Sequence, residues 1–148
     1  MISNYKMAEG LAVIASIAPI SQGVGTVTSA WVPIKNYHQI MAIVNTGVLG
    51  TAATVDAKFQ QAQDVSGTGA KDITGKVITQ IVKATGDGKQ AVINIRMQEL
   101  DINGGFTHVQ LSVTVAAAAS LVSAEVLALT RNLPASTVNQ AAVVQIVA

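Results

Sequence analysis

Phe106-Thr107-His108-Val109-Gln110-Leu111-Ser112-Val113-Thr114-Val115 is the stretch that decides the fold class. Its even positions His108, Gln110, Ser112 and Thr114 are polar, while the odd positions Val109, Leu111, Val113 and Val115 are β-branched or leucine. Successive side chains of an extended strand point to opposite faces, so a period of two reads as a strand buried on its odd side. Working outward, Ala91, Ile93, Ile95 and Met97 alternate with Val92, Asn94, Arg96 and Gln98, and Val55, Ala57 and Phe59 alternate with Asp56, Lys58 and Gln60. Residues 11–17, 26–33 and 38–45 are strand-like as well. Six to nine strands at this spacing predict an all-β, single-domain antiparallel β-sandwich or barrel, not alternating β and α units.

The connections read as short turns. Gly86-Asp87-Gly88 separates residues 77–83 from 90–97, and Asn103-Gly104-Gly105 separates Leu100 from Phe106; both are expected to close hairpins. Residues 61–71 read as a loop. Residues 116–130 admit two readings: Ala, Leu and Glu favour a helix, while Leu121, Ser123, Glu125 and Leu127 against Val122, Ala124, Val126 and Ala128 fit a strand buried on both faces. Residues 1–148 are expected to form one domain, with a core at about 11–134 and peripheral arms at 1–10 and 135–148 that order mainly on assembly. The apolar run Val143-Val144-Gln145-Ile146-Val147 needs a partner strand, in the fold or in a neighbour.

Composition narrows the function. Half of the 148 residues are hydrophobic, 11% are charged and 3% are aromatic. Charge this sparse leaves apolar surface outside the core, which suits a protein that lives in an assembly. Nine Lys plus Arg against eight Asp plus Glu give a net charge of +1, so no clustered positive surface for nucleic acid or anionic membrane is expected. No stretch reaches the roughly 18 apolar residues of a spanning helix. Glu9 and Gly10 directly before the apolar run at 11–20, and no A-x-A exit after it, argue against a secretory leader. Zero cysteines remove thiolate nucleophiles and cysteine metal sites.

Catalytic constellations are not expected either. The segment Gly67-Thr68-Gly69-Ala70-Lys71 resembles a phosphate loop only superficially, and Gly69 through Gly75-Lys76 has the wrong spacing, with Val77 where a magnesium-binding hydroxyl belongs. Gly23-Val24-Gly25 lacks the third glycine of a dinucleotide fingerprint. His38 and His108 are isolated, and Asp56, Asp64, Asp72, Asp87 and Asp101 are scattered singly, without calcium-loop spacing. No enzyme activity, cofactor, metal or catalytic residue is therefore expected. Tyr5, Trp31 and Tyr37 are the candidate interface residues. Trp31 or Tyr37 could alternatively stack on a sugar, and the bland reading of either is a packing anchor.

Several phrases also belong together: Ala30-Trp31-Val32, the run at 37–44, Val55-Asp56-Ala57-Lys58-Phe59-Gln60-Gln61, Asp72-Ile73-Thr74-Gly75, residues 100–109 and the strand ending Thr114-Val115. With its V-x-A-K-x-Q-Q strand and D-[IV]-T-G turn, this pattern resembles a group of small tailed-bacteriophage structural proteins, the head decoration or minor capsid proteins, over about residues 11–134. Ala116 to Ala119 departs from it, where a glycine-containing hairpin is expected. The resemblance implies a jelly-roll core and a virion protein, made in the host bacterial cytoplasm, that oligomerises and binds the outside of a capsid. Its implied partners are further copies of itself and the major capsid protein, with no direct nucleic-acid or membrane contact. A neck or tail component, or a carbohydrate-binding module on the particle surface, is the alternative.

Overall fold

The computed structural model describes residues 6–147. A short helix α1 (Met7–Gly10) leads into β1 (Leu11–Gln22), β2 (Gly25–Thr28), β3 (Val32–Pro33), β4 (Tyr37–Thr46) and β5 (Thr54–Ala62). There follow β6 (Lys71–Val77), β7 (Ile81–Val82), a short helix α2 (Lys83–Gly86), β8 (Gln90–Arg96), β9 (His108–Ala116) and β10 (Ser120–Thr130). All ladders are antiparallel. The first sheet has the order β1-β10-β4-β8. The second follows β2-β9-β5-β6, with β3 also beside β9 and β7 beside β5. With β2/β3 and β6/β7 each sharing one ladder, this is the jelly-roll arrangement, a sandwich of two interleaved sheets.

Alternation places the core between the sheets. Val55, Ala57 and Phe59 of β5 and Val109, Leu111, Val113 and Val115 of β9 face inward with at most 1% exposure. From the first sheet come Ile40, Ala42 and Val44, Ile93 and Ile95, and Val122, Ala124, Val126 and Ala128. The alanines Ala42, Ala124 and Ala128 of the first sheet and the larger Phe59 and Leu111 of the second belong to this one core cluster.

Several expectations need correction. Neither glycine turn closes a hairpin: β7 lies in the second sheet and β8 in the first, and β8 to β9 crosses back. The 86–88 segment is instead a corner clasp, in which the Thr46 hydroxyl donates to the Gly86 carbonyl and Asp87 Oδ1 accepts the Leu49 amide at 2.9 Å. Among the described residues the ladder between consecutive long strands is β5–β6, closed by the 63–70 loop. Residues 120–130 are strand, not helix, but β10 is buried on one face only; Leu121 and Leu129 on the other are 46% and 42% exposed. The Ala116–Ala119 corner turns without glycine, holding Ala117 at φ 69°.

The tail expected as an arm from 135 is docked as far as Gln140. Ala135 is fully buried and Val138 packs against the core. Asn139 Oδ1 accepts the Val13 amide at 2.7 Å, and the Gln140 amide donates to the Val13 carbonyl at 2.8 Å. These bonds form because β1 is an edge strand whose outward main-chain groups need partners. The expectation that residues 1–5 order on assembly lies outside the described residues, whereas residues 7–10 form α1, with Gly10 buried.

Candidate functional site

Most of the groups that could do chemistry are engaged in structural contacts. Asp64 accepts the amides of Ser66 and Thr68 and the Thr68 hydroxyl, so a carboxylate already occupies the concavity that a phosphate loop would offer. That Thr68 hydroxyl, with the loop amides, holds the Asp64 carboxyl below its ordinary range. Lys58 pairs with Asp72 at 2.8 Å, Lys71 with Asp101 at 2.7 Å and Lys76 with Glu99 at 2.9 Å. Lys58 chiefly, with Gln60, depresses Asp72; Lys71 chiefly, with the Gly104 amide, depresses Asp101. His108 Nδ1 lies 2.9 Å from the Thr107 hydroxyl and His38 is exposed. Among the described residues no three metal-binding side chains cluster, and no helix is long and apolar enough to cross a membrane.

What remains is surface, and its two large faces differ. The outer face of the second sheet is polar and internally bonded: Thr26 meets Thr114 at 2.8 Å, Gln60 meets Asp72 at 2.9 Å and Gln80 meets Asp56 at 2.8 Å. The outer face of the first sheet is apolar over half its extent. Register places Val13, Leu127 and Met41 side by side across β1, β10 and β4, flanked by the Leu11–Leu129 and Ile43–Val92 pairs. A shallow groove of about 400 Å³ runs between Leu11, Met41, Val92, Leu127 and Leu129. The other half is polar: Asn45 donates to Glu125 at 3.1 Å and accepts from Gln90 at 2.6 Å.

Tyr37 and Trp31 are not on this face's apolar half. Tyr37 is only 5% exposed, within the core cluster, and burial pushes its phenol pKa up. It is a packing residue in the isolated chain, because its ring lies on the inward side of β4. Trp31 is half-buried beneath the 63–70 loop, so close that a methyl group on Gly67 would lie 2.8 Å from its indole Nε1. Tyr5 lies outside the described residues. The surface residues that the sequence reading missed are Leu11, Val13, Met41, Ile43, Leu127 and Leu129. Their signal was present in β4 and β10, which are apolar at both parities although only one face of an antiparallel sandwich strand meets the core.

No protein-family model matches the chain, and no curated protein matches it in sequence. Among solved structures it is similar to a chain of Broad Bean Stain Virus (TM-score 0.47, 12% identity, 89% of this chain and 90% of that one). It is also similar to a chain of the Cowpea mosaic virus top component, naturally occurring empty particles (TM-score 0.41, 12% identity, 90% and 94%). A third similarity is to the CBM22-1 xylan-binding domain from Paenibacillus barcinonensis Xyn10C (TM-score 0.40, 11% identity, 82% and 83%).

Proposed function

We propose that this chain is a non-enzymatic structural protein of a tailed-phage virion, which self-associates and binds the outside of the head through the major capsid protein. The observation that carries this reading is the apolar outer face of the first sheet, set against a second sheet whose outer face is polar and internally bonded. Water against Leu127, Met41, Val13 and Leu129 is released when another apolar surface covers them, at roughly 25 cal/mol per Å². A protein that binds an assembled lattice and not its free subunits stabilises that lattice by mass action, and contact with several subunits adds avidity.

The motif residues that resemble decoration proteins support the same reading from within the fold. Lys58 and Gln60 of the V-x-A-K-x-Q-Q strand both hold Asp72 of the D-I-T-G segment, and Gln61 accepts the Asp101 amide at 2.9 Å. Gly75 of that segment has φ 76° beside a register shift in β5–β6, the conformation of a bulge. The shared letters thus build a structural hairpin, not a reaction site.

The direct test is the particle. Mass spectrometry and electron cryo-microscopy of purified virions are expected to find the chain on the head surface in large copy number; its absence from particles would refute the proposal. A ring of about a dozen copies at one vertex would move it to the neck or tail. The carbohydrate-binding alternative needs a platform other than Tyr37, which is buried, and Trp31, which the 63–70 loop covers; saturable glycan binding by the folded chain would revive it.

A further inference from the structure

A sandwich has four open sheet edges, and three of them here are guarded. β1 carries register shifts at 13–15 and 17–20 with Pro19 in the second, and the tail at Asn139 and Gln140 closes off its Val13. The β2/β3 ladder is interrupted between Thr28 and Val32, and Pro33 has no N–H to offer. β6 is bulged at Gly75 and carries Lys71, Asp72 and Lys76.

β8 has none of these devices. Its seven residues pair with β4 in unbroken register from Asn45↔Gln90 to Gln39↔Arg96, without proline and without a charge before Arg96. The Thr46 amide is bonded to the Lys89 carbonyl, so odd residues of β8 face β4, and Gln90, Val92 and Asn94 turn their main-chain groups to the open side. The Arg96 amide is closed off by Glu99 Oε2 at 2.8 Å, whereas the main-chain groups of Val92 and Asn94 have no partner among the described residues. An edge of this kind is a template for another strand.

The same chain carries an unpaired strand former. Beyond the turn in which the Val143 amide donates to the Gln140 carbonyl, residues 143–147 join no ladder, and Val144 and Val147 are 93% and 85% exposed. The segment is uncharged and mostly β-branched: Val144 and Ile146 would face inward beside Ile93 and Ile95, with Val143, Gln145 and Val147 outward and Gln145 beside Asn94. It cannot serve its own β8. Gln140 sits outside β1, and the vacant position outside β8 is five strand spacings away, about 24 Å, whereas residues 140–143 span at most about 10 Å.

We propose that residues 143–147 of one copy add as a strand to the β8 edge of the next copy. The inference deepens the reading above and rests on its self-association, though not on the particle. Because each copy donates beside β1 and accepts at β8, the contact is heterologous and propagates into a ring or an open chain.

The experiment uses two full-length variants. Val92→Lys/Asn94→Pro blocks the edge; Asn94→Pro removes an amide that β4 does not use. Val144→Pro/Ile146→Pro disables the tail. By light scattering, the natural chain is expected to assemble beyond a dimer, each variant to remain monomeric, and their mixture to stop at a one-to-one dimer, since only one donor and one acceptor remain. If the edge variant does not fold, hydrogen exchange on the natural chain decides: the Val92 and Asn94 amides are expected to slow at least about 10-fold on assembly. A tail variant that assembles like the natural chain, folded variants whose mixture stays monomeric, unprotected Val92 and Asn94 amides in the assembly, or a natural chain monomeric at about 100 µM would each overturn the strand exchange. Assembly that survives in the tail variant would leave the reading above standing through the sheet face, and absence from virions would sink that reading alone.

Discussion

On the outer face of the second sheet, Thr26 has Thr114, Lys58 and Gln60 have Asp72, and Asp56 has Gln80; on the outer face of the first, Leu127, Met41 and Val13 have only one another and solvent. A polar side chain on a sheet can be satisfied by its cross-strand neighbour. An apolar one is satisfied only when water is removed, and a flat face cannot remove water from itself. Folding thus satisfies the one face, whereas the other keeps apolar side chains against water.

The largest expected effect breaks that asymmetry. Leu127→Glu, at the centre of the apolar rows, is expected to weaken binding to the particle roughly 100-fold, about 3 kcal/mol, while leaving the folded monomer intact. The same charge at Thr114→Glu on the second sheet is expected to leave that binding unchanged. Co-sedimentation with particles stripped of the chain measures both, and equal effects from the two would erase the distinction between the faces.

Acid tests the other side. The depressed carboxyls Asp64, Asp72, Asp87, Glu99 and Asp101 lie in or around the second sheet and the loops that join it to the first. A carboxylate whose folded pKa is lowered binds protons more readily when unfolded. It therefore contributes stability above its unfolded pKa of about 4 and loses that contribution as pH falls through the folded value. Tm is expected to be flat from about pH 7 to 5 and to drop below about pH 4, with hydrogen exchange rising first around β6 and the 97–107 segment. A Tm unchanged down to about pH 2.5 would contradict this. Because these groups are largely exposed, salt is expected to shrink the drop.

Smaller effects sharpen the local picture. Gly67→Ala introduces a side chain at φ 83°, 2.8 Å from the Trp31 indole, and is expected to cost about 1–2 kcal/mol with a shift in tryptophan fluorescence. Ala117→Gly relieves a left-handed alanine at the β9–β10 corner; the gain, offset by added freedom in the unfolded chain, is expected at about 0.5 kcal/mol by chemical denaturation.

The alternation in β5, β8 and β9 was legible because each strand has one face on the core, so burial wrote itself into every second residue. The connections were less so. Gly86-Asp87-Gly88 and Asn103-Gly104-Gly105 announce that the chain turns, but turn chemistry is local and does not say which sheet the next strand joins. In β10 the apolar residues at both parities look like a strand covered on two faces, whereas in the folded chain only one of those faces meets the core. Tyr37 and Trp31 stand out in the sequence as large aromatics, whereas the first sheet's exposed surface is built of leucine, valine, isoleucine and methionine, which in a sequence look like core.

Leu11 at the start of β1 pairs with Leu129 near the end of β10. The segments that enter and leave the sandwich are therefore neighbours at one corner, which sets how the molecule bears mechanical load. Tension between them would unzip β1 from β10 one rung at a time. A pull between the tail and the Thr46 end of β4 would instead have to slide whole strands against their neighbours, straining many rungs together, so the direction of tension decides how firmly the body holds.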